Sequence, residues 1–116
     1  MSLYLKINGI SNQYLKNILI KYLLIYLNSM YNRKKLTNKE YNILHNAFLH
    51  ISITQPNLNN KNVFMIGFDQ TINMSEIKLI NYGNLEQKGT NIVTNAFDWI
   101  RNNIKNILKL EKMKRR

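Results

Sequence analysis

Basic side chains recur near the end of the chain at a spacing that suits a row of negative charges. Arg101, Lys105, Lys109 and Lys112 follow one another at intervals of three or four residues, so on a helix they project from one face. Each such cation can neutralise a phosphate group and release a bound counterion. The spacing therefore predicts a surface for a polyanion; the alternative is a solvated helix face, the usual meaning of a run of charges.

Other candidate phosphate-binding residues are spread along the chain. A polar connector carries Arg33, Lys34 and Lys35. The remaining candidates are Lys6, His50, Lys114, Arg115 and Arg116. The whole chain holds 17 Lys and Arg against 6 Asp and Glu, a formal net charge of +11. This excess predicts attraction to nucleic acid first and to an anionic membrane surface second.

Residues 55–62, "QPNLNNKN", have the composition of a hairpin tip between two apolar runs. Asn57, Asn59 and Asn60 offer amide donors and acceptors, and Lys61 offers a cation. RNA displays phosphates and hydroxyls together, and such side chains bind both. The tip therefore favours an RNA partner, although an ordinary turn in an asparagine-rich protein is the alternative.

Residues for catalysis or metal binding are sparse. The chain has two histidines, His45 and His50, and no cysteine, which excludes a disulfide scaffold and a thiolate metal site. The acids are scattered, and Glu40 has the spacing from Thr37 of a helix capping box. The glycines are too dispersed to form a phosphate-binding loop. We therefore expect no enzymatic activity, no cofactor, no metal site and no small-molecule substrate.

The periodicity of apolar residues predicts the elements that position these side chains. A strand over 3–8 should be half-buried, since Leu3, Leu5 and Ile7 alternate with polar neighbours. The other predicted elements are a helix over 12–28, a shorter helix over 38–47, strands over 49–54 and 63–68, a further strand around 77–82, and a long helix from about 90. The run at 63–68, "VFMIGF", predicts a central strand covered on both faces.

These elements predict a single α+β domain over residues 1–116, a sheet with its helices on one face. Its expected RNA-binding parts are the tip at 55–62 and the basic helix and tail at 90–116. No apolar run reaches the roughly 18 residues of an ordinary membrane span. The opening residues show neither a signal peptide nor a transit peptide, as expected of a protein made inside an organelle. Abundant Asn, Lys, Ile and Tyr, which have A- and T-rich codons, favour an organellar, parasite, reduced bacterial or viral genome.

The order of elements and the tip resemble the tenth small-subunit ribosomal protein of the bacterial type. The opening "LYLKINGISNQYLKNILIKYL" is similar to that family's first strand and helix, and "NAF" at 95–97 to its helix after the hairpin. Pro56, Leu58 and Asn59 match the family's tip motif in register, with Lys61 displaced by one residue. A second resemblance, to the eleventh small-subunit protein, covers residues 62–105.

The first resemblance implies a ferredoxin-like β-α-β-β-α arrangement with an extended hairpin loop. It also implies a structural constituent of the head of the small ribosomal subunit, here of a mitochondrial ribosome. Its partners would be ribosomal RNA and neighbouring small-subunit proteins. The alternative is a small accessory subunit of an organellar membrane or multiprotein complex, in which the apolar faces around Tyr22–Leu27 and Trp99 dock onto partners. A viral helical interaction protein is a third interpretation.

Overall fold

The computed structural model describes residues 3–55, 62–78, 80 and 88–114, with the backbone alone for 88–90. The elements in chain order are β1 (Leu3–Lys6), α1 (Asn12–Asn32), α2 (Asn38–Leu49), β2 (Ile51–Thr54), β3 (Val63–Phe68), α3 (Met74–Lys78) and α4 (Lys88–Lys114). The fold is α+β, as predicted, with three strands and four helices in the described ranges.

The three strands form one antiparallel sheet in the order β1–β3–β2. Strand β3 is central, as predicted, because Leu5 pairs with Phe64 on one side and Ile53 pairs with Ile66 on the other. Strands β2 and β3 are adjacent and antiparallel, so residues 55–62 connect the two arms of a hairpin. Beyond β1, the backbone N–H of Ile7 donates to Asn62 O over 2.7 Å, which places the end of β1 at the hairpin base.

Among the described residues, the helices cover one face of the sheet, in contrast to the cover predicted for both faces of 63–68, and the segment at 69–74 borders the other face beside Thr54 and Met65. Phe64 and Ile66 are buried, whereas Val63 and Met65, which alternate with them, are only partly buried. Leu5 lies on the buried side, and its neighbour Tyr4 is 54% exposed. The continuous apolar run was misleading because Val63 and Met65 lie on the open face.

Helix α1 runs back along the buried face of the sheet. It begins after Ser11, whose side-chain oxygen accepts from Tyr14 N, and Asn12 lies beside Asn62 at the hairpin base. About two turns further on, Leu19 lines a small cavity together with Leu5. The helix therefore runs antiparallel to β1. Its buried stripe comprises Leu15, Ile18, Leu19, Tyr22, Leu23, Leu27 and Met30.

Helix α1 ends in a Schellman motif that has lysine where glycine is usual. The N–H of Lys35 donates to Met30 O and that of Lys34 donates to Tyr31 O, which is the hydrogen-bond pattern of this cap. Lys34 has φ of +59°, in the left-handed region that costs an L-residue about 1–2 kcal/mol. The motif turns the chain at once into the connector and α2.

Helix α2 confirms the capping box and is longer than predicted. Thr37 Oγ1 accepts from Glu40 N, and Glu40 Oε1 accepts from Thr37 N. The helix continues to Leu49 because Ala47 and Phe48 are both buried in its last turn. The prediction of a strand from residue 49 is therefore wrong at its start, and β2 begins at Ile51.

The strand predicted around 77–82 is also wrong where the structure describes it. Residues Met74–Lys78 form the short helix α3, and the side chain of Asn73 accepts from Ser75 N over 3.0 Å at its start. The alternation at Ile77 was too short to establish a period of two, and Ile77 is instead buried against the helices. Tyr82 lies outside the described residues.

Helix α4 packs antiparallel to α1. Trp99, early in α4, lies 5.8 Å by ring centroids from Tyr26, late in α1. Glu111, late in α4, lies 2.7 Å from Lys21, which is earlier in α1. Because α1 is itself antiparallel to β1, α4 runs in the same direction as β1. Its buried residues are Ile92, Val93, Ala96, Phe97, Ile100, Ile104 and Ile107.

Candidate nucleic-acid interface

Three lysines of α4 form an exposed stripe that has no acidic partner among the described residues. Lys105, Lys109 and Lys112 are all exposed, and at 3.6 residues per turn they share one side of the helix. The buried residues Ile104 and Ile107 point elsewhere. Within the described ranges, none of the three lysines forms an ion pair. The predicted basic face is therefore present, and its charge is directed to the outside. We call these three residues the α4 stripe.

Arg101 begins the same row but is occupied by contacts within the protein. Its Nε donates to the backbone oxygen of Tyr4 over 3.2 Å, and its Nη1 lies 3.1 Å from Asp98 Oδ1. The pair is exposed, at 41% and 49% for the two side chains. Arg101 thus fastens α4 to the outer edge of β1, and Asp98 offsets part of its charge.

Lys114 belongs to a different side of α4. Its Nζ lies 3.8 Å from Glu111 Oε1, so this lysine pairs with an acid three residues before it. Lys21 and the Tyr22 hydroxyl also donate to Oε1, at 2.7 and 3.0 Å. The hydrogen bond from Lys21 lowers the pKa of Glu111, and Glu111 in turn raises the pKa of Lys21. The pKa of Tyr22 is raised, chiefly by burial and then by its hydrogen bond to Glu111.

Arg33, Lys34 and Lys35 form a second, separate basic patch at the corner between α1 and α2. All three are exposed, and Lys39 follows in the first turn of α2 with its side chain exposed as well. Lys34 lies 13 residues after Lys21, about 20 Å along the helix at 1.5 Å per residue. Lys21 contacts Glu111, which directly precedes Lys112, the last residue of the α4 stripe. The corner patch therefore lies far from the Lys112 end of the stripe.

Lys6 and His50 lie at opposite ends of the sheet. Lys6 pairs with Val63 at the start of β3, whereas His50 directly precedes Ile51, which pairs with Phe68 at its end. His50 falls within the strand predicted over 49–54 but is the C-cap of α2. Its Nδ1 is 2.9 Å from Asn46 O. Lys6 is exposed on the open face of the sheet, near the α4 side.

The tip residues Asn57, Asn59, Asn60 and Lys61 lie outside the described residues, as do Arg115 and Arg116. Their assignment to a polyanion surface remains a prediction.

Acidic and histidine side chains do not converge in the part of the chain that the structure describes. No group of three or more potential metal ligands occurs there. Asp69 closes a turn, since its Oδ1 accepts from the backbone N–H of Thr71 over 2.9 Å and from the Thr71 hydroxyl. The hydroxyl bond is the main cause of the lowered pKa of Asp69.

Among the described helices, none combines the length and hydrophobicity needed to cross a membrane.

Tyr4 is the surface residue that sequence reasoning passed over. Its ring belongs to the open face, and its cross-strand neighbour is Met65, which pairs in turn with Thr54. The alternation of residues 3–8 already placed Tyr4 and Lys6 on the same side. The missing information was that, in the described part of the chain, no helix covers Tyr4 and Lys6.

Comparison with known proteins adds no relative from which a role could be transferred. No protein-family model, no curated protein and no solved structure matches the chain.

Proposed function

We propose that this protein is a structural, RNA-binding component of the small ribosomal subunit, in a mitochondrial ribosome. The observation that carries the proposal is the α4 stripe, three exposed lysines on one face without acidic partners in the described ranges. Such a row suits a chain of phosphates, each of which displaces a counterion on binding. The net charge of +11 supports a polyanionic partner.

The ribosomal assignment rests on the resemblance of the opening strand and helix, the tip and "NAF" to the tenth small-subunit family. A ferredoxin-like arrangement is part of the same proposal. In support of it, β1 and β2 flank β3 in an antiparallel sheet, with α1 between β1 and β2 in the sequence. The role is electrostatic: the cations reduce repulsion between RNA segments so that the segments can approach each other.

Gradient sedimentation with nuclease treatment tests this proposal. In a lysate of the organelle, we expect the protein to sediment with small ribosomal subunits and to move to light fractions after digestion of RNA. Sedimentation that is unchanged by nuclease, or that follows membranes until detergent is added, contradicts it.

A second candidate function is that of an accessory subunit that docks onto other proteins. It is favoured by exposed apolar residues on the two antiparallel helices: Ile25 is 46% exposed, Trp99 37% and Leu110 51%. Trp99 packs against Tyr22 and Tyr26 of α1, and its remaining surface is open. If this function is correct, the protein should sediment in a protein complex whose position in the gradient does not change after nuclease treatment.

A further inference from the structure

The open face of the sheet carries an aromatic ring on a rigid support. Tyr4 is 54% exposed, and Tyr4, Met65 and Thr54 form one row across the three strands. The Tyr4 backbone is held by the ladder to β3 and by Arg101, whose Nε donates to Tyr4 O over 3.2 Å. Because the backbone is fixed, the ring loses only side-chain freedom when a planar group stacks on it.

Positive charge borders this ring on two sides. Lys6 lies two residues along β1 on the same face, since alternate residues of a strand share a side. Arg101 lies at the outer edge of β1. Two acids lie near this face: Asp98, which pairs with Arg101 at the edge of β1, and Asp69, which follows the end of β3 away from Lys6 and lines a pocket with Thr54 and Met65.

The α4 stripe begins one turn after Arg101, which lies at the outer edge of β1. Helix α4 and β1 run in the same direction, and Arg101 is level with Tyr4. Lys105 lies about 6 Å after Arg101 along α4, and Lys6 lies about 6 Å after Tyr4 along β1. Because the two elements run in the same direction, both lysines are displaced toward the same end of the sheet. A chain of phosphates that follows the stripe thus passes along the border of the open face.

We infer that the open face binds unpaired RNA nucleotides, with a base stacked on Tyr4 and the backbone phosphates along Lys6 and the α4 stripe. This inference rests on the proposed function and adds the kind of RNA recognised. Bases within a duplex are stacked on each other and cannot lie flat on a protein ring, whereas unpaired bases can. Base–aromatic stacking with an adjacent line of cations is a common mode of single-strand binding.

The test compares two labelled RNAs by fluorescence anisotropy on the full chain: an unstructured octamer and a stable hairpin of equal charge. Tyr4→Leu removes the stacking surface but keeps an apolar residue on the strand, and Tyr4→Phe keeps the ring. We expect Tyr4→Leu to weaken octamer binding about tenfold, with Tyr4→Phe near wild type and hairpin binding little changed. Thermal unfolding shows that each variant is folded.

Asp98→Asn provides a gain-of-binding test at the same site. Removal of the carboxylate frees Arg101 from its 3.1 Å ion pair, so octamer affinity should rise about two- to threefold.

Equal octamer affinity for wild type and Tyr4→Leu overturns the inference, as does an equal loss for octamer and hairpin. If Lys105→Gln/Lys109→Gln weakens both RNAs while Tyr4→Leu weakens neither, the inference fails and the proposed function stands. If wild type binds neither RNA but binds an acidic protein surface, both fail.

Discussion

Lys21 and Glu111 lie 90 positions apart in the sequence, and their side chains meet at 2.7 Å. The same carboxylate oxygen accepts from the Tyr22 hydroxyl over 3.0 Å. This cluster fixes the late part of α4 to α1. It also engages Glu111, which directly precedes Lys112 of the α4 stripe, in contacts with Lys21, Tyr22 and Lys114.

Replacement of Glu111 by glutamine should destabilise the protein. The substitution removes the charge that Lys21 and Tyr22 both contact, at a carboxylate that is only 14% exposed. We expect a loss of about 1 kcal/mol in the free energy of unfolding, measured by urea denaturation near pH 7. Glu76→Gln, at an exposed acid of α3, is the matched control and should change stability by less than about 0.5 kcal/mol.

The difference between wild type and Glu111→Gln should depend on pH. The hydrogen bond from Lys21 lowers the pKa of Glu111 in the folded state, so the folded state binds its proton less readily than the unfolded state. The stabilisation is therefore complete above the unfolded pKa of about 4.3 and disappears as the pH falls through the lower folded value. A difference that stays constant from pH 7 to 3 would contradict the assigned contact.

Lys34→Gly should stabilise the protein although it removes a surface cation. Lys34 has φ of +59°, and glycine relieves the left-handed strain, for a gain of about 1 kcal/mol. Lys35→Gly removes the same charge beside it, at a residue without positive φ, and should cost about 0.5–1 kcal/mol. Chemical denaturation of both variants provides the measurement, and an equal effect of the two would show that the strain is not the cause.

Two glycines should respond in opposite ways to alanine. Gly9 has φ of +70°, and an added Cβ would have no atom within 4 Å, so Gly9→Ala should cost about 1–2 kcal/mol through the backbone alone. At Gly67 the added Cβ would make an ordinary 3.8 Å contact with Ser52 Oγ. Gly67→Ala should therefore be neutral or stabilising by up to about 1 kcal/mol. Thermal unfolding of the two variants checks that Gly9→Ala is less stable than Gly67→Ala.

Much of the fold follows from local patterns in the sequence. The capping box at Thr37 and Glu40, the stripe of α1 and the alternation around Leu5 each depend on near neighbours, and the structure confirms all three. The errors arose where distant packing decides. Leu49 stays helical because the preceding turn is buried, and no local signal revealed that Met65 lies on the face of β3 that the described helices leave uncovered.

The candidate site was predictable in its composition and less so in its arrangement. The α4 stripe follows from the spacing of its lysines. The use of Arg101 to hold the edge of β1 and the separation of the corner patch at Lys34 from the stripe depend on tertiary structure. Pairs such as Lys21 and Glu111 have no signature in a single sequence.

Fluorescence of Trp99, the single tryptophan, should separate the two candidate functions. Trp99 lies six residues before Lys105, about 120° around the helix, and it faces α1 at Tyr26. RNA bound along the α4 stripe should leave its emission maximum unchanged, whereas a protein docked over Trp99 should bury the ring further and shift the maximum to the blue. A blue shift on titration with RNA would contradict the assigned surface.

The most direct test of the α4 stripe is the salt dependence of RNA binding by two matched double variants. Lys105→Gln/Lys109→Gln removes two charges from the stripe, and Lys16→Gln/Lys78→Gln removes two from α1 and α3. Affinity for small-subunit ribosomal RNA is measured from about 50 to 200 mM salt. Affinity falls as salt rises, so the slope of log affinity against log salt is negative. We predict that the stripe variant reduces the magnitude of this slope by about 1.5 to 2, while the control variant reduces it by less than about 0.5. Equal slopes for the two variants would contradict the account, because the positive charge would then act without a defined surface.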